Sequence, residues 1–238
     1  MSNPKISVII PSFNRFSYLQ NSLTSVFNQT YENFEIIIIN DGSSEKEYKS
    51  YEFPKSVKII HIDKKDTPDW GGSRQPLRNI GSSHASGEYL AFLDDDDIWM
   101  KNKLELQIKK MLDKSFLFSS TEGYFGYGIY DENKEYQKYN SERFIKTLKK
   151  KYRGTGLLKK GIFPEIWDHD FLQVHNCVIL SSVVIQKELF DRLGGFRGLP
   201  KAADYDCWLG LLKLTNLLYI NEPLFYYDAG HGDGKLYS

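Results

Sequence analysis

The chain has 238 residues, 41% of them hydrophobic and 26% charged, with 31 basic and 31 acidic side chains. This is ordinary globular composition for one large domain or two small lobes, and the neutral balance offers no field to attract a nucleic acid, so no such partner is expected. Two cysteines in no zinc spacing, an N-terminus without the order of a signal peptide, and no run approaching the roughly 18 apolar residues of a membrane span point to a cytoplasmic protein, at most peripheral to a membrane.

The first hundred residues alternate strand and helix signals. "KISVIIP" (Lys5–Pro11) is a β-branched apolar run closed by proline. In "SYLQNSLTSVFNQ", Leu19, Leu23, Val26 and Phe27 recur at helical spacing, with Ser17 and Gln20 placed as a capping box. "FEIIIIN" (Phe34–Asn40) is apolar without alternation, as in a strand buried on both faces. "DGSSEKEY" reads as a turn and helix start, with Ser44 and Glu47 again in capping-box spacing. "VKIIHI" is a third strand, "RNIGSSHASG" the end of a helix stopped by Gly87, and "EYLAFL" a fourth strand. The order β-α-β-α-β-α-β predicts a doubly wound, mainly parallel sheet flanked by helices. Ligands of such sheets bind beyond the carboxyl ends of the strands, so "PSFN", "NDGSS" and "DDDD" should open onto one rim.

The second half is less regular. "KNKLELQIKKML" is an amphipathic helix with Leu104, Ile108, Met111 and Leu112 on one face. "EGYFGYGIY" (Glu122–Tyr130) reads as a loop or edge strand, "CVILSSVVIQ" as a buried strand, "KELFDRLGGF" as a short helix stopped by Gly194, and "DYDCWLGLLKLT" as a helix opened by an acid. The expected organisation is a single domain over residues 1–238, with a nucleotide-binding half (1–100) and a smaller acceptor-side half (101–238).

The acidic run Asp94–Asp97 is the strongest chemical signal. Acid runs are usually solvated turns, but this one continues an apolar strand and is followed by Ile98 and Trp99. A calcium loop of the EF-hand kind would need glycine where Trp99 stands. Crowded carboxylates are mutually destabilising unless a cation neutralises them, and magnesium or manganese takes carboxylate oxygens together with phosphate oxygens and water. Dinucleotide and P-loop glycine motifs are absent. A glycine-rich basic loop, as in nucleotidyltransferases, does not follow the first strand.

"SVIIPSFNR", "FEIIIINDGSS", "RNIGSSHASGEYLAFLDDDDIW", "VILSSVVIQKELFDRLGGF" and "ADYDCWL", in this order, resemble a family-2 glycosyltransferase of the GT-A fold. The resemblance implies that Asp41 hydrogen-bonds the nucleotide base and that Pro11, Ser12 and Asn14 contact the same nucleoside. Arg74 and Arg78 are expected at the base or diphosphate. The family's D-x-D triplet maps onto Asp94, Asp95 and Asp96, with Asp96 as direct metal ligand, Asp95 toward ribose or water, and the register uncertain by one residue because of Asp97. His231, in "EPLFYYDAGHGDG", is implied as a further metal ligand. Asp204 matches the catalytic base, although Ala203 stands where the family usually has glutamate; Asp206 is the alternative. Gly194 and Gly195 resemble the loop that admits the acceptor.

The implied reaction is inverting transfer of a sugar from a nucleoside diphosphate, UDP favoured, to a hydroxyl acceptor in glycan or polysaccharide synthesis, with Mn²⁺ or Mg²⁺ as cofactor. A retaining double displacement would need a second carboxylate as nucleophile. Expected partners are the nucleotide-sugar donor and a carbohydrate or lipid-linked acceptor. Trp70 and Trp167 are candidate sugar contacts by stacking. The basic stretch "KTLKKKYRGTGLLKKG" suits either a solvated face or an acidic membrane surface. The alternative of another class is a non-catalytic nucleotide-sugar-binding domain of a larger synthase, left open by Ala203.

Overall fold

The computed structural model describes residues 3–63 and 75–230. The predicted alternation is present: β1 (Ile6–Ser12), α1 (Phe16–Phe27), β2 (Phe34–Asn40), α2 (Glu47–Ser50), β3 (Val57–His61), α3 (Gln75–Ser83) and β4 (Tyr89–Phe92). These four strands lie parallel in the order β3-β2-β1-β4. Neighbouring residues of β1 and β2 divide between two cores. Ile9, Ile37 and Ile39 face Leu77 of α3, whereas Val8, Ile10, Ile36 and Ile38 face Leu19, Leu23 and Val26 of α1. That two-sided burial is why "FEIIIIN" shows no polar alternation.

The chain continues through β5 (Ile98–Trp99), α4 (Lys103–Lys114), β6 (Phe118–Gly126), β7 (Gln137–Lys138), a π-helical turn (Tyr139–Arg143) and α5 (Ile145–Lys151). Then come β8 (Ile166–Trp167), α6 (His169–Leu172), β9 (Val184–Gln186), α7 (Lys187–Leu193), α8 (Ala203–Leu211) and β10 (Leu217–Asp228). The sheet extends beyond β4 as β9-β6-β10-β5, mixing antiparallel pairs with the parallel β6–β10 pair. The result is a mixed, mostly parallel sheet with helices on both faces, the GT-A architecture.

Four local expectations differ. Helix α1 starts at Phe16, one residue before the expected cap, and the Phe16 N–H donates to Glu45 Oε2 at 2.8 Å, so a carboxylate from the next loop replaces the Ser17–Gln20 box. Helix α2 likewise has no side-chain cap, and Ser44 instead bonds Asn14. "EGYFGYGIY" lies largely inside the sheet, because Glu122–Gly126 completes β6 between β7 and β10. Its glycines make room for aromatic rings: Phe225 covers Gly123 and Tyr226 covers Gly126 where a Cβ would stand. Finally, "CVILSSVVIQ" is a strand only over Val184–Gln186; Leu180–Ser182 forms a single 3-10 turn.

Glu35 of β2 ties the start of this frame together. It accepts from Ser7 Oγ at 2.6 Å, from the Ser86 N–H at 2.7 Å and from Lys5 Nζ at 3.0 Å. Burial acts to raise its pKa, but these donors outweigh it and hold the carboxyl down to about 2. A depressed folded pKa contributes stability above the ordinary value of 4.5, and that contribution is lost as pH falls from there toward 2. Glu35→Gln is therefore expected to lower stability at neutral pH by about 2 kcal/mol. In denaturant melts across pH, the gap from the unmodified chain should close by the acid end of that window; a pH-independent gap would contradict the assignment.

Candidate functional site

Strands β1, β2 and β4 run in one direction, so their carboxyl ends bring "PSFN", "NDGSS" and the acidic run to one rim. A tight turn, closed by the Asp97 N–H donating to the Asp94 carbonyl at 3.1 Å, sorts the four acids. Asp95 and Asp97 are buried, at 0% and 1% exposure, while Asp94 and Asp96 face the rim. Asp95 accepts from Ser12 Oγ at 2.6 Å and pairs with Arg15 Nη2 at 2.5 Å. The same guanidinium reaches Asp96 Oδ2 through Nη1 at 2.8 Å. Asp94 pairs with Arg78 Nη2, whose Nη1 donates to Gln75 at 3.0 Å. Asp97 accepts from Ser181 Oγ at 2.6 Å and from the Asp228 N–H at 3.0 Å, which moors the end of β10 to the cluster.

Burial raises the pKa of Asp95 to about 7, against the pull of Arg15 and with a push from Asp96. Asp97 is raised well above the usual carboxylate range, first by burial and then by Asp96 and Asp94. Even so, one oxygen from each of Asp94, Asp96 and Asp97 lies within 4.8 Å of the others. This all-oxygen donor set fits a hard divalent cation such as Mg²⁺ or Mn²⁺.

The two neighbouring loops are stitched together. Asn14, at φ 50°, accepts from the Ser44 N–H at 2.7 Å and donates its own N–H to Ser43 Oγ at 2.9 Å. The Asp41 N–H donates to the Ser12 carbonyl at 3.0 Å, and the Asp41 side chain is buried at the end of β2. Pro11 lies within β1, and the hydroxyl of Ser12 is turned inward, shared between Tyr48 and Asp95.

In the second half of the chain, Asp204 is the second residue of α8. The cap is Ala202, in the left-handed region at φ 54°, so the Asp204 carboxylate is not used as a side-chain cap; Asn176 Nδ2 approaches it at 3.5 Å. Gly194 ends α7 at φ 87°, and Gly195 follows at φ 73°. Asn79 of α3 clamps this loop, donating to the Phe196 carbonyl at 2.8 Å and accepting its N–H at 2.9 Å. Asp206 is held by Arg197, and with Gly195 it lines a cavity of about 640 Å³ beside α7 and α8. Trp167, expected at a sugar, is fully buried. Its ring stacks on Tyr219 at 4.2 Å within the core, because β8 pairs with β10 and turns this side chain inward. Trp70, Arg74 and His231 lie outside the described residues.

A sequence pattern described as glycosyl transferase family 2 matches residues 7–170. The chain belongs to that family. It is 42% identical over 167 residues to an uncharacterized glycosyltransferase of Rickettsia bellii, covering 70% of this chain and 21% of that protein. It is 31% identical over 223 residues to the Escherichia coli UDP-Glc:alpha-D-GlcNAc-diphosphoundecaprenol beta-1,3-glucosyltransferase WfgD, covering 93% of this chain and 75% of that one. The chain thus spans between a fifth and a third of the length of several Rickettsia relatives. In fold it resembles Staphylococcus aureus TarS 1–349 in complex with UDP-GlcNAc, with TM-score 0.63 and 16% identity over 98% of this chain and 62% of that one. It also resembles the mannosyltransferase PcManGT of Pyrobaculum calidifontis in complex with GDP-Man and Mn2+, with TM-score 0.63 and 14% identity over 95% and 57%.

Within this glycosyltransferase frame, several contributors lie outside the sequence-based set. Arg15 directly follows "PSFN" and bridges two of the four acids. Ser181 supports both the backbone of Asp94 and the side chain of Asp97. Its sequence signal is the pair of serines that interrupts "VILSSVV". Asn79 and Asn176 carry no such signal, since each acts on a residue distant in the chain.

Removing one member of a buried ion pair strands the other. Arg15→Met is expected to lower stability by about 3–5 kcal/mol, and adding Asp95→Asn should recover most of that loss. Denaturant melts of the two variants check this; equal losses in both would show that Asp95 does not depend on Arg15.

Proposed function

We propose that this chain is the catalytic domain of a metal-dependent, inverting glycosyltransferase that moves a sugar from a nucleoside diphosphate, UDP favoured, to an acceptor hydroxyl in glycan synthesis. The observation that carries this reading is the oxygen triad of Asp94, Asp96 and Asp97, held within 4.8 Å at the mouth of β4. The guanidinium groups of Arg15 and Arg78 pair with Asp94, Asp95 and Asp96, so the four acids outnumber these cations, an excess that a divalent cation would balance. When bound, that cation stabilises the charge that develops on the departing diphosphate.

The chain's own residues supply the rest. Asp41, Pro11, Ser12 and Asn14 form the nucleoside end, and Arg78 lies at the diphosphate end, its buried Nε without a hydrogen-bond partner among the described residues. Asp204 takes the proton from the acceptor hydroxyl as its oxygen attacks the anomeric carbon. The new glycosidic bond forms while the bond to the diphosphate oxygen breaks on the opposite face, so one displacement inverts the configuration and UDP leaves. Gly194, with open space where a Cβ would stand, leaves the approach free, whereas Gly195 makes room for the Asn79 side chain that clamps the loop. Support for UDP comes from the name of WfgD, which also points to a lipid-linked diphosphate acceptor.

Asp204→Asn is expected to lower transfer by about 10²–10⁴-fold, the usual worth of a general base, while calorimetric affinity for UDP with manganese stays unchanged. Near-normal turnover in that variant would remove Asp204 from the mechanism. If the unmodified chain bound UDP but released none from any donor, it would be a nucleotide-sugar-binding domain instead.

A further inference from the structure

Between Ile145 and Ile162 the chain carries seven lysine and arginine residues and no acid. All seven side chains are exposed. Six of them belong to two segments, α5 and the 3-10 turn at Lys159–Gly161, which form one continuous face, and Arg153 lies between the two in the chain. The Lys149 side chain crosses Gly161, with Nζ 2.9 Å from where a Cβ would stand, and Ile145 Cδ1 lies 3.6 Å from the same point. Gly161 is at φ 77°, so both conformation and space favour glycine there. Because the whole chain is neutral, the remainder carries a matching net negative charge. Positive charge is thus concentrated in this stretch of the chain, with Asp168 the one acid among the described residues bordering the cavity beside it.

The face is not only basic. Ile162, directly after the lysine turn, is 69% exposed, and Ile166 is 48% exposed. Both line an open cavity of about 520 Å³ that Lys159 and Lys160 also border. Clustered lysines beside exposed aliphatic side chains are the composition of a surface that rests in the headgroup region of a bilayer, where cations meet phosphates and apolar tips enter the acyl boundary. Nucleic acid would use the cations but leave the isoleucines in water.

The face is also joined to the acceptor side. Tyr152, which closes α5, donates to the Phe171 carbonyl at 2.9 Å and lies 3.5 Å from Cys177 Sγ. Cys177 follows Asn176, the residue that reaches Asp204.

We propose that the basic face of α5 and the Lys159–Gly161 turn docks the chain on an anionic lipid bilayer, with Ile162 and Ile166 entering the interface. This goes beyond the transfer reaction and is read without donor or acceptor, so failure of either proposal leaves the other standing. The test is co-sedimentation of the full chain with vesicles of mixed phosphatidylglycerol and phosphatidylcholine, against vesicles of phosphatidylcholine alone. With about 1 kcal/mol per basic residue at such a surface, binding to the mixed vesicles should be at least about tenfold stronger, and raised salt should release the protein.

Replacing Lys149, Lys150, Lys159 and Lys160 together by glutamine should cut binding to mixed vesicles by at least about tenfold, whereas replacing the same four by arginine should preserve it. Ile162→Ser should weaken binding without changing its salt dependence. Equal binding to both vesicle types overturns the proposal. So does unchanged binding of a glutamine variant that melts like the original chain, or retention of duplex RNA by a chain that ignores the vesicles.

Discussion

The structure turns on how four adjacent carboxylates are kept at the end of one strand. At an effective dielectric of about 20, two such charges about 4 Å apart repel by about 4 kcal/mol, so an uncompensated quartet would not hold its shape. The turn at Asp94–Asp97 eases the conflict by burying Asp95 and Asp97 while Asp94 and Asp96 lie nearer the rim. The inward pair is then satisfied from inside the fold: Asp95 by Arg15 and Ser12, Asp97 by Ser181 and the backbone of Asp228. What remains at the rim is a small set of oxygen donors whose positions are fixed from behind.

Each of those supports comes from a different part of the chain, so the quartet also acts as a hub of the fold. Ser12 and Arg15 follow β1, Ser181 sits in the turn before β9, and Asp228 ends β10. Around the hub, the β1 and β2 loops are bonded to one another through Asn14, and the loop after α7 is bonded to α3 through Asn79. The loops after β1, β2 and α7 are therefore parts of one packed unit. A buried lysine lies behind it: Lys103, with its Nζ 4.3 Å from the Trp99 ring centre and bonded to Gln107, has its pKa pushed well down by burial. Gln107 passes the contact on to Ser119 and the Ser182 carbonyl.

Much of the first half was legible because its signals are local. Apolar β-branched runs bounded by proline, asparagine and glycine fall where β1, β2 and β4 lie, and topology alone placed their ends on one rim. Strand alternation, expected to keep neighbouring acids apart, does not apply, because the run is a turn that brings oxygens of the adjacent Asp96 and Asp97 within 4.8 Å. The second half resisted reading because its logic is non-local. Gly123 and Gly126 look like loop residues until Phe225 and Tyr226, a hundred positions later, lie over them. Trp167 looks like a sugar platform until β8 pairs with β10 and buries it. Ser17 and Ser44 look like caps, but Glu45 takes the N–H at the start of α1, and α2 has no side-chain cap, with Ser44 bonded to Asn14 instead. Arg15 could have been suspected from its place beside "PSFN"; its double attachment to Asp95 and Asp96 could not.

The most direct measurement is a crystal structure of the chain with Mn²⁺ and UDP, using the anomalous signal of the metal. An anomalous peak beside oxygens of Asp94, Asp96 and Asp97, in reach of the diphosphate, while Asp95 stays paired with Arg15, is the expected result. Ordered UDP with no metal peak at these side chains, or a metal held by Asp95 with Arg15 displaced, would contradict it.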